Sequence, residues 1–166
     1  MRRLAVRPSK PQIRSLCSRT LFLLAMLSVV PSCLAQTIVK GRRSLVLEGK
    51  VAQLVVDLGG GSFTNFHLRS QGISPLNWGM TDKSTEPRPM GHFLCLDRWG
   101  QPSEAELKNG MPFHGEASYV EWQAKQLPHE SEGSVQAEMT ASLPLAGIKV
   151  DRHIALSASG AFFTVR

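Results

Sequence analysis

The segment Gly110-Met111-Pro112-Phe113-His114-Gly115-Glu116, followed by Trp122, holds the chain's densest set of groups able to do chemistry. Proline restricts the residue before it to extended backbone, and glycine lets another backbone or a ligand come close. Both features present His114 on a loop at a strand end. An imidazole placed there can donate a proton or a hydrogen bond near neutral pH; a purely structural histidine is the alternative reading. Asp97 and Arg98 form a second candidate pair, facing a groove or joined in a strand-end ion pair. Trp78, Trp99, Trp122 and Phe113 carry flat apolar faces that can meet sugar C–H groups or fill a core.

Other candidates point to ordinary roles. His92 and His153 lie within strand-like runs, and His129, between Pro128 and Glu130, suits a surface loop. No two of the five histidines, with their Cys or carboxylate neighbours, have a metal-ligand spacing, so no metal and no cofactor is expected. Gly59-Gly60-Gly61-Ser62 lacks the lysine and following helix of a phosphate loop and reads as a turn. No glycine-flanked serine stands between a strand and a helix, as Ser-based hydrolysis requires. Cys95, in an apolar run, suits a small buried hydrophobe better than a catalytic thiol.

The elements that must position these groups are strands. Leu45 to Leu47, Val51 to Leu58, Ser62 to Leu68 and Ile73 to Trp78 are short runs of β-branched and aromatic residues, separated by glycine-bearing turns. Met80 to Pro89 reads as a loop, and strand signals resume at Gly91 to Leu96. Ser103 to Asn109 can form one or two helical turns, with Ser103 as cap and Glu106 at the capping-box position. Ser118 to Gln126, Ser134 to Leu143, Lys149 to Leu156 and Ala161 to Arg166 continue the strand pattern. The expected class is all-β and mainly antiparallel, because no amphipathic stretch has the length of an ordinary domain helix.

Composition agrees with a globular domain: 42% of residues are hydrophobic and 19% charged. Of the 19 basic side chains behind the net charge of +6, six lie in residues 1–35 with no acid, and the 13 left balance 13 acidic ones. A nucleic-acid partner is therefore not expected. Residues 1–35 read as an export signal, basic to Arg19 and apolar from Leu21 to Val30, too short to span a bilayer stably once built as a helix. Cleavage after Ala35 gives a periplasmic or extracellular protein. Lipid attachment at Cys33 and a retained anchor are the alternatives. Cys17 and Cys33 fall in this leader, which leaves Cys95 alone in the body and excludes a disulfide framework there. Residues 36–44 are expected as a linker and residues 45–166 as the N-terminal part of a larger domain, since large β-sandwiches commonly need ~200–250 residues.

Several segments, taken in order, resemble the galactose mutarotase-like superfamily of aldose 1-epimerases and hexose-phosphate epimerases. Leu58-Gly59-Gly60-Gly61-Ser62-Phe63 resembles its early strand and glycine turn, and Ser74-Pro75-Leu76-Asn77-Trp78 its next strand. Gly91 to Gly100, with Cys95 inside and Trp99-Gly100 at its close, is similar to a further segment. Pro112-Phe113-His114-Gly115 with Trp122 resembles the first active-site histidine motif, and Val150 to Leu156 the strand before the second histidine region. The resemblance implies an antiparallel β-supersandwich with a sugar groove, a hexose substrate and interconversion of anomers at C1 without metal or cofactor. A carboxylate takes the C1 hydroxyl proton, a histidine protonates the ring oxygen, the ring opens, the aldehyde rotates, and closure reverses the steps. His114 maps onto the histidine that binds and polarises the sugar, with Arg98, Asp97 and Trp122 as expected substrate contacts. The acid histidine and the glutamate base would follow residue 166. Ser118 stands where phosphate-sugar epimerases place an arginine four residues after the histidine, and Arg88 is one position out of register with another family arginine. A non-catalytic carbohydrate-binding β-sandwich and a truncated inactive fragment are the alternatives.

Overall fold

The computed structural model describes residues 36–72, 74–76, 84–127 and 133–166. The leader with Cys17 and Cys33, the first four residues (80–83) of the expected 80–89 loop, and Ile73, Asn77, Trp78 and His129 lie outside the described residues.

Among the described residues, eight strands form two four-stranded antiparallel sheets, each in sequence order. The first holds β1 (Gln36–Val39), β2 (Arg42–Glu48), β3 (Ala52–Asp57) and β4 (Phe63–Leu68), and the second holds β5 (Gln123–Gln126), β6 (Ser134–Leu143), β7 (Ile148–Ser157) and β8 (Phe163–Val165). Side chains alternate across a strand, so β6 buries Val135, Ala137, Met139, Ala141 and Leu143 on one face and turns the intervening residues outward. These residues join Leu45, Leu47, Leu54, Val56, Ile154 and Leu156 in a core that both sheets share. The all-β, antiparallel expectation holds.

Residues 36–44, expected as a linker, are instead β1, a turn and the start of β2. Val39 pairs with Arg42 across the two-residue turn Lys40-Gly41, where both residues have positive φ (50° and 83°). Such turns match the right-handed twist of the flanking strands, and Gly41 takes its conformation freely. Arg42 is buried for a specific reason. Its guanidinium is paired with Asp57 (Nε to Oδ1 2.8 Å, Nη2 to Oδ2 2.9 Å), and it also donates to the carbonyls of Gly59, Ser84 and Glu86.

Two further strand expectations are corrected. Gly91 to Leu96 forms only a single bridge, His92 with Phe63, because Gly91 adopts φ +54° against the Phe63 carbonyl and turns the chain out of the sheet. Within Ser118 to Gln126 only β5 is strand; residues 116–118 are a 3-10 turn. The helical expectation holds as α1 (Glu104–Lys108), with the reciprocal Ser103–Glu106 capping box complete.

The glycine run Gly59-Gly60-Gly61 is a turn wedged into the core. A Cβ at Gly61, where φ is +64°, would lie 2.6 Å from the Trp122 ring. Only glycine lets this backbone lie flat on the indole.

Candidate functional site

His114 sits at the end of the long connection between β4 and β5, held by the loop that carries Asp97 to Gly100. Its backbone N–H donates to the Gly100 carbonyl at 2.9 Å, and the Gly100 N–H donates to its Nδ1 at 3.1 Å. Because Nδ1 accepts, the proton of the neutral ring lies on Nε2. Nε2–H has no hydrogen-bond partner among the described residues. The half-buried ring is walled by aromatics edge to face: Phe113 at 3.9 Å between centroids, Phe93 at 5.6 Å and Trp99 at 5.8 Å. Trp99 is 81% exposed and Phe113 50% exposed. A hydrogen-bond donor thus lies beside two solvent-facing aromatic surfaces.

The backbone here is strained. Of the three non-glycine residues with positive φ among the described residues, Lys40 is in a hairpin turn, and the other two are Asp97 and His114, both at 66°. Left-handed backbone is unfavourable for such residues and persists only where the surroundings enforce it, often at binding sites. The enforcing contact is close packing at Gly115, φ +79°, where a Cβ would collide with the Asp97 carboxylate and the Leu96 carbonyl.

Asp97 is exposed overall, but its carboxyl is tucked against this glycine. Burial raises its pKa above the ordinary carboxylate value, and the nearby Glu116 and Glu106 charges push the same way, while backbone N–H bonds from Glu116 and Arg98 oppose. Glu106 moves in the opposite direction, chiefly because the Ser103 hydroxyl and backbone N–H bond its carboxylate. The folded protein therefore holds the Asp97 proton more tightly than the unfolded chain does. Its contribution to stability is greatest below the ordinary carboxylate pKa and is lost as pH rises through the raised value. For Glu106 the contribution is complete above the ordinary pKa and is lost as pH falls through the lowered one. Carboxyl-carbon NMR titration should place the Asp97 midpoint above the ordinary aspartate value and the Glu106 midpoint below the ordinary glutamate value; a shift of opposite sign at either residue would contradict this geometry.

The other site expectations separate. Arg98 gives two hydrogen bonds to the Gln101 carbonyl and an ion pair to Glu106 at 3.4 Å, so it fastens the Asp97–Gly100 loop to α1. Trp122, expected as a substrate contact, is fully buried and belongs to the core, with Nε1 donating to the Ala117 carbonyl at 2.8 Å. The signal was present in the strand parity: Trp122 and Ala124 share the inward face at the start of β5. Glu116, buried beside His114, accepts the N–H groups of Leu145 and Ala146 and so ties the site to the β6–β7 turn. His153 lies on an outer face 3.7 Å from Glu138, and the exposed His92 stacks on Phe63.

No protein-family model, curated protein or solved structure matches the chain. Among the described residues no three His, Cys, Asp or Glu side chains gather as metal ligands, and no helix is long and apolar enough to cross a membrane.

Proposed function

We propose that the protein binds a hexose at the corner formed by Asp97, Trp99, Phe113 and His114, as the N-terminal portion of an aldose 1-epimerase-like β-supersandwich. The observation that carries this reading is the Nε2–H donor of His114 flanked by the exposed faces of Trp99 and Phe113. A pyranose has C–H groups that lie against aromatic faces and a rim of oxygens that need donors and acceptors. His114 donates to a sugar oxygen, the Asp97 carboxylate accepts from a hydroxyl, and the aromatic walls exclude water from one side. The resemblance puts the carboxylate that takes the C1 proton, and the histidine that protonates the ring oxygen, after residue 166. In that arrangement His114 binds and polarises the sugar.

The fixed tautomer also favours a second reading, non-catalytic carbohydrate binding. The bond at Nδ1 comes from a backbone amide, whereas a proton-transferring imidazole is usually backed by an acceptor. Calorimetry with glucose and galactose tests the shared claim. We expect saturable binding of one sugar, weakened about 3–10-fold by His114→Ala through loss of one hydrogen bond, and no saturation would refute it. Polarimetry of fresh α-glucose or α-galactose separates the two readings. A rate above buffer favours the epimerase, and a buffer-like rate with intact binding favours the carbohydrate-binding module. If turnover occurs, removing a proton-transferring histidine should cost ~10²–10⁴-fold, and His114→Ala less.

A further inference from the structure

β7 carries an arginine on its inward face. Arg152 shares that face with Ile154 and Leu156 and is 5% exposed. Its Nη1 donates to the Gly61 carbonyl at 2.6 Å, and its guanidinium lies 4.6 Å from the Trp122 ring centroid and 5.3 Å from that of Phe63. Among the described residues no carboxylate pairs with it. A guanidinium has five N–H donors in a rigid fork, so one carbonyl and two ring faces leave donors over, and none of the Arg152 nitrogens is both sealed from solvent and unpartnered, so a ligand can reach the spare ones. Burial lowers its pKa to about 10, which still leaves it cationic at neutral pH.

Arg152 lines a cavity of about 200 Å³ with Phe63, His92, Phe93, Leu94, Phe163 and Val165. A buried cation is costly unless an anion meets it, and the fork geometry fits a planar carboxylate through two parallel bonds. Apart from Arg152 and the His92 at its rim, the walls are apolar. One guanidinium balances a single negative charge, whereas a phosphate dianion would need further donors. We propose that this cavity binds a small organic acid, its carboxylate on Arg152 and its apolar body against Phe63, Phe93 and Phe163. This site is separate from the hexose corner: His114 does not line the cavity, although Phe93, which does, also meets its ring.

Calorimetric titration of the full chain with benzoate, and in parallel with inorganic phosphate and with glucose, tests the assignment. Saturable benzoate binding is expected, weakened at least tenfold in Arg152→Met. Val165→Trp, which fills the mouth from exposed β8 and keeps the arginine, should weaken it similarly and covers the case in which Arg152→Met fails to fold. Glucose binding should persist in Val165→Trp, so failure here is distinguishable from failure of the hexose reading. No saturation by benzoate, binding unchanged in Val165→Trp, or binding of phosphate but not benzoate would each overturn the proposal.

Discussion

Trp122→Ala should destabilise the protein by about 3–5 kcal/mol, the usual cost of emptying a large aromatic site that cannot collapse. Three losses coincide at this position. The indole fills the space where Gly61 passes flat across it, its Nε1–H satisfies the Ala117 carbonyl, and its face carries the Arg152 guanidinium. Removing it leaves a cavity, an unpaired carbonyl and a less compensated buried cation. Against a typical total of ~5–15 kcal/mol, such a loss is a large share of the stability. Urea unfolding followed by far-UV circular dichroism should show the midpoint fall steeply with the slope unchanged. A shift below about 1 kcal/mol would mean that the ring is not packed as described. Gly61→Ala approaches the same contact from the other side and should also destabilise, since its Cβ would collide with the ring from a left-handed backbone.

Asp57→Ala is expected to cost a similar amount, about 3–5 kcal/mol, for a different reason. Asp57 is fully buried and forms two bonds with the equally inaccessible Arg42. Deleting the carboxylate leaves a guanidinium among the carbonyls of Gly59, Ser84 and Glu86, with no anion to balance it. The pair as a whole is another matter, because desolvating two ions offsets most of their attraction. Replacing both, as in Arg42→Met with Asp57→Leu, should therefore cost clearly less than Asp57→Ala alone. A double variant at least as unstable as the single one would show that the carbonyl contacts of Arg42, and not its charge pairing, hold the β1–β2 hairpin to the glycine turn.

The fold was legible where one face of a strand is buried. β3, β4 and β6 lie within the runs read from alternation and β-branched composition, β7 extends the Lys149 to Leu156 run by one residue at each end, and α1 follows from Ser103 and Glu106 three residues apart. β1 escaped because it is a sheet edge whose ends are half-buried and middle exposed, giving no period of two, and its turn uses Lys40 where asparagine is usual. Gly91 to Leu96 misled for the opposite reason: its composition suits a strand, but a positive-φ glycine held against β4 redirects it. At the candidate site, Pro112 and Gly115 did signal a presented histidine. The partition of the aromatics did not emerge from residue type, since Trp99 and Phe113 face solvent and Trp122 the core. Arg152 was likewise hidden, although its parity with Ile154 and Leu156 points it inward.

Titration of the isotope-labelled protein with glucose or galactose, read at the tryptophan indole and histidine ring resonances, tests the hexose corner most directly. Saturable shifts confined to Trp99 and His114, with Trp122 unmoved and the response lost in Trp99→Ala, are the result expected. Resonances of Trp99 and His114 that stay fixed up to saturating sugar would contradict it.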